Sequence, residues 1–114
     1  MKNILLFEPD NDIRGMIKDY YLEDYYTDEY DNHNKFLKDG KDLSDYNLLI
    51  TDAYPSVFSF VRENILGKNL DLPVIFFYAT WDSDQAKDIL NKKNIFILNK
   101  IQSKDLASKI KEIL

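Results

Sequence analysis

Apolar residues fall along this chain in two alternating patterns. The first is a short unbroken run: Ile4-Leu5-Leu6-Phe7, then Asn47-Leu48-Leu49-Ile50-Thr51, Pro73-Val74-Ile75-Phe76-Phe77-Tyr78-Ala79 and Asn94-Ile95-Phe96-Ile97-Leu98. Runs of that length, rich in β-branched and aromatic residues, fit strands buried on both faces. The second is helical: Ile13, Met16, Ile17, Tyr20 and Tyr21 recur at i, i+3, i+4, i+7 and i+8, which is one face of a helix. Phe58, Val61, Ile65 and Leu66, ending at Gly67, predict another helix, and Ala86, Ile89 and Leu90 a third, capped by Asp82 or Ser83. Leu106, Ala107, Ile110, Ile113 and Leu114 form the inner face of the last, with Ser103 as its cap. Between the first two runs, Tyr25 to Tyr30 reads as a half-exposed edge strand. A short helix over Asn32–Lys38 follows, and Gly40 ends it.

Five strands alternating with five helices predict an α/β fold: a doubly wound, five-stranded parallel sheet with strand order 2-1-3-4-5. A chain of 114 residues holds that as a single domain over residues 1–114 and is too short for a dinucleotide-binding fold of the same class.

Composition narrows the chemistry. There is no cysteine, so disulfides and thiolate metal sites are excluded. No apolar run is long enough to span a membrane, and the N-terminus does not resemble a signal peptide; the expected location is the cytoplasm. The net charge of −5 is uneven: residues 1–57 carry 6 basic and 13 acidic groups, residues 58–114 carry 9 and 7. Six acids and no Lys or Arg lie between Asp19 and Asn34. That surface repels a phosphate backbone, so direct nucleic-acid binding by this domain is not expected.

In an open parallel sheet, ligands bind beyond the carboxyl ends of the strands where the winding reverses, here between the first and third. The first strand runs into Glu8-Pro9-Asp10, the third into Asp52 and the fifth into Asn99-Lys100. Converging carboxylates repel one another unless a cation neutralises them. Glu8, Asp10 and Asp52 therefore form a candidate site for a hard ion such as magnesium, with Lys100 reaching a phosphoryl oxygen. Each residue has a plainer role available: Asp10 and Asp52 as helix caps, Glu8 as a solvated loop acid, Lys100 as an ordinary lysine before a helix. His33, the only histidine, lies in a polar segment and reads as an isolated surface residue, which excludes a histidine-centred triad. Tyr20, Tyr21, Tyr25, Tyr26 and Tyr30 are expected to pack under the first helix and along the edge strand, with a protein-binding patch as the alternative.

Taken together, Ile4 to Arg14, Tyr46 to Asp52, Leu72 to Ala79 and Ile97 to Lys100 resemble, in order and spacing, the response-regulator receiver domains of two-component signalling. The resemblance implies a flavodoxin-like receiver fold. It also implies a phosphoacceptor at Asp52, served by a histidine kinase or a small phosphodonor, a magnesium ion held by acids of the first strand and by Asp52, and phosphoryl binding by Lys100. Tyr78 and Ile97 occupy the family's switch positions. The partners implied are a histidine kinase or other signalling protein, or a second copy through the face of the fourth helix, fifth strand and fifth helix. Such a domain is not an enzyme beyond self-catalysed phosphotransfer to Asp52.

The same residues also depart from the pattern. Pro9 stands where the principal acidic metal ligand belongs, and proline offers no side-chain oxygen. Tyr78 replaces the switch Thr or Ser, Ile97 the switch aromatic, and Ile101 the proline after the lysine. Two readings follow: a degenerate pseudo-receiver working through protein contacts, and a phosphorylatable receiver with weakened metal affinity. Losing a ligand to a hard ion favours the first. Trp81, just past the fourth strand, is expected with Tyr78 to cover the Asp52 pocket. A flavodoxin is excluded because Glu8 to Asp12 is acidic and would repel a flavin phosphate.

Overall fold

A computed structural model describes residues 1–89 and 91–114. Strands β1 (Asn3–Phe7), β2 (Tyr26–Tyr30), β3 (Leu48–Thr51), β4 (Val74–Tyr78) and β5 (Ile95–Asn99) alternate with helices α1 (Asn11–Tyr21), α2 (His33–Lys38), α3 (Pro55–Val61), α4 (Ser83–Ala86) and α5 (Ser103–Ile113). All pairings are parallel and the order is β2-β1-β3-β4-β5, as predicted.

The unbroken apolar runs are strands covered on both sides. Ile4 and Leu6 face the layer of α1 and α5, with Ile17, Leu22, Leu106 and Ile110. Leu5 and Phe7 face the layer of α2, α3 and α4, with Phe36, Val57, Phe58, Phe60 and Ala86. Successive side chains of a strand point to opposite faces, so both parities must be apolar. The Phe7 ring meets Tyr30, Phe36 and Phe60 at centroid distances of 6.4, 5.8 and 5.6 Å.

Three local expectations change. The inner face of α1 is narrower than its periodicity suggests: Ile13, Ile17 and Tyr21 pack inward, whereas Met16 is 37% and Tyr20 77% exposed. A single i, i+4 row meets the sheet, and the neighbouring row faces water. Helix α4 is one turn, with Asp82 capping it by accepting from the amides of Asp84 and Gln85. Ala86 and Ile89 are buried as expected, while Leu90 lies outside the described residues. Ser103 is the first residue of α5 and not its cap; Gln102 takes that position without a side-chain hydrogen bond.

Helix α3 starts with Pro55, pre-set for a first helical turn. It continues into a wider π-type segment, Arg62–Leu66, closed by a 2.7 Å bond from the Gly67 amide to the Arg62 carbonyl. A Cβ on Gly67 would lie 2.9 Å from that oxygen, so the closure needs glycine. Among the described residues no helix is long and apolar enough to cross a membrane.

Candidate functional site

Strand register brings the site together. Phe7 pairs with Thr51, so the next residues, Glu8 and Asp52, emerge side by side, and the Asp52 amide donates to the Phe7 carbonyl at 2.9 Å. Two strands further along, β5 ends at Asn99, whose side chain accepts from the Ile101 amide at 2.9 Å and turns the chain through Lys100–Gln102. The Lys100–Ile101 peptide is trans. Lys100 reaches back across the sheet: its Nζ lies 2.7 Å from Glu8 Oε1 and 3.0 Å from Asp52 Oδ1.

These charges sit largely out of water, with side-chain exposures of 3% for Glu8, 15% for Lys100 and 21% for Asp52. Burial pushes the Glu8 carboxyl above the ordinary carboxylate range, against the opposing pull of Lys100 and the Asp10 amide. For Lys100 burial is the largest single influence and disfavours the charge, but the two carboxylates together outweigh it and raise its pKa. An ammonium shared between two acids is the arrangement that keeps such groups ionised inside a protein.

Asp10 takes its plainer role. Its Oδ1 accepts from the amides of Asp12 and Ile13 at 2.9 and 3.1 Å and caps α1, while its own amide donates to Glu8 Oε2 at 3.1 Å. Arg14 donates to the Glu8 carbonyl and to Asp31 Oδ1, both at 2.8 Å, which ties the same loop to the residue that follows β2. Glu8 is thus held at both its carboxylate and its main chain.

The expected magnesium set of Glu8, Asp10 and Asp52 is not assembled in this arrangement. A hard divalent ion requires several oxygens around one point. Here Lys100 occupies the space between Glu8 and Asp52, Asp10 is bound to a helix terminus, and Pro9 supplies no donor. Among the described residues no three His, Cys, Asp or Glu side chains converge on a point. The residues as arranged do not fit the ion.

A cleft of about 490 Å³ opens beside this group, lined by Glu8, Asp10, Asp52, Tyr54, Thr80 and Lys100 among others. Tyr78 and Trp81 do not line it, and the expected cover over Asp52 is absent. Trp81 instead lies on the α3 side of the sheet, 5.4 Å from Phe58, 5.6 Å from Phe76 and 5.3 Å from Tyr78 between ring centroids. Partly buried ring contact there gains more than a place over a polar cleft. Ile97 pairs in register with Phe76 and is likewise not a lining residue.

Thr80 and Tyr54 are among the lining residues that escaped sequence reasoning. Thr80 had no signal of its own. Tyr54 had one, its place between Asp52 and a helix-starting proline. His33 is also reassigned: it is 8% exposed, not a surface residue. Its ring lies 5.7 Å from that of Tyr54 at an interplanar angle of 7°, and 5.2 Å from Phe60. The His33 amide donates to the Tyr54 hydroxyl at 2.8 Å, and Nδ1 lies 3.0 Å from the same oxygen. Burial pulls the His33 pKa below its ordinary value and pushes that of the Tyr54 phenol well above its usual range.

No protein-family model matches the chain, and no curated protein sequence matches it. Solved structures do. A signal receiver domain of two-component signal transduction (histidine kinase) from Clostridium thermocellum is 25% identical over 99% of this chain and 97% of that one, with a TM-score of 0.76. The response regulator TrrA from Thermotoga maritima, in complex with Mg2+-BeF, is 22% identical over 100% of both chains, with a TM-score of 0.70. A LuxR-family DNA-binding response regulator from Staphylococcus aureus is 17% identical over 99% and 98%, with a TM-score of 0.74.

Proposed function

We propose that this chain, whose fold is that of a response-regulator receiver domain, is a single receiver-like signalling domain that works through protein contacts and not through magnesium-dependent phosphorylation. One observation carries the reading: the cation between Glu8 and Asp52 is the chain's own Lys100, at 2.7 and 3.0 Å. The two carboxylates already share a cation without a metal, and a divalent ion must displace a buried ammonium to enter. Pro9 and the capping role of Asp10 remove the oxygens that would compensate. The partners in this reading are a histidine kinase or other signalling protein of the cytoplasm, or a second copy through the α4–β5–α5 face. No direct contact with nucleic acid is involved in this reading, and no catalysis.

A second reading is a receiver phosphorylated on Asp52 by a histidine kinase with magnesium. It is favoured by the partial exposure of Asp52 on the cleft and by the Lys100 hydrogen bond to its carboxylate. It draws further support from the likeness to TrrA, itself in complex with Mg2+-BeF. Intact-mass spectrometry after incubation with a small phosphodonor, alongside beryllofluoride binding, both with magnesium, separates the two. The first reading expects no adduct at saturating donor. A stable adduct that Asp52→Asn abolishes overturns it in favour of the second.

A further inference from the structure

Tyr54 is the one aromatic ring lining the cleft among the described residues, and its hydroxyl points out of the cleft into the interior. There it meets two groups of one residue, the amide and Nδ1 of His33, the first residue of α2. The amide is a donor, so the hydroxyl oxygen accepts from it. With the neutral ring protonated on Nε2, the hydroxyl proton goes to Nδ1 and both bonds are satisfied. Tyr78 and Ile97 have no comparable link, because neither lines the cleft.

We propose that Tyr54 is the moving wall of the cleft and His33 its latch, so that the state of the cleft is communicated to α2 through the Tyr54 hydroxyl and not through positions 78 and 97. A proton taken up from solvent by His33 makes Nδ1 a donor. The hydroxyl then faces two donors, its own proton loses Nδ1 as acceptor, and the hold on the ring at its seat beside Asp52 is loosened. In the other direction, anything in the cleft that displaces Tyr54 strips the buried His33 amide and Nδ1 of their partner and disturbs the first turn of α2. The coupling is reciprocal by linkage. Tyr54 is the titratable group that faces His33, Phe60 covers it from α3, and burial disfavours its charged form. The charges of Asp52 and Glu8 do act on Tyr54, which ties the same hydroxyl to the cleft. The inference stands apart from whether Asp52 accepts a phosphoryl group.

The single histidine gives one imidazole Cε1 signal, so a pH titration by NMR reads the latch directly. In the wild-type chain the amide signals of Ala53 and Thr80 are expected to inflect at the His33 midpoint. In Tyr54→Phe the His33 ring still titrates but those amides lose the inflection, and in His33→Gln it vanishes. Asp52→Asn is expected to move the His33 midpoint by about 0.3 pH unit, a twofold change in proton affinity. Cleft amides that do not inflect at the His33 midpoint, or that keep the inflection in Tyr54→Phe, overturn the proposal. Should Tyr54→Phe not fold, an inflection retained in His33→Gln overturns it equally.

Discussion

The ammonium of Lys100 stands 2.7 Å from the carboxylate of Glu8, an acid with 3% of its side chain exposed. Removing one partner of such a pair leaves a buried charge with nothing to neutralise it. Lys100→Met is expected to cost about 3–5 kcal/mol in urea denaturation at pH 7. The double variant Glu8→Gln/Lys100→Met recovers most of that loss. The single variant regains stability as the pH is lowered, because Glu8, already raised by burial, then takes up a proton. A single variant as stable as the wild type at pH 7 contradicts the pairing.

The pH dependence of stability has a signed contribution from His33. Its folded pKa is lowered by burial, so below the ordinary value of about 6.5 the unfolded chain binds the proton more readily than the folded one. Its stabilisation is therefore present above that value and lost as pH falls through the folded pKa. Melting temperatures measured from pH 7 to pH 5 are expected to fall less steeply for His33→Gln than for the wild type. Equal slopes would contradict the buried assignment.

Trp81 reports on the cluster it occupies. It is the only tryptophan, and its ring sits among Phe58, Phe76 and Tyr78, away from the cleft lining. Its emission is expected to stay unchanged on adding magnesium and in Asp52→Glu, and to shift to the red in Phe58→Ala. A spectral change with magnesium would return Trp81 to the cleft.

Gly67 is held against the Arg62 carbonyl, 2.9 Å from where a Cβ would sit. Gly67→Ala must push that turn apart and is expected to lower stability by about 1–3 kcal/mol. Gly15→Ala, which meets nothing within 4 Å, is expected to be neutral or stabilising in its helix. Denaturation midpoints of the pair distinguish a steric effect from a general intolerance of alanine.

What the chain declares on its own is whatever depends on local pattern. Strands buried on both faces must be apolar at every position, so β1, β3, β4 and β5 were legible as runs. The alternation with helices was enough to predict the order 2-1-3-4-5. Asp52 and Lys100 were legible because register and winding bring those strand ends together whatever the intervening loops do. Side-chain pairing across the sheet is another matter. Whether Asp10 turns to a metal or to the amides of α1, whether Lys100 lies between Glu8 and Asp52, and whether Trp81 covers the cleft or joins Phe58 and Phe76 depend on competing partners far apart in sequence. Those competitions are decided by burial and geometry, which only the folded chain supplies. His33 is the clearest case: polar neighbours in sequence suggested the surface, and an aromatic from another segment made it part of the interior.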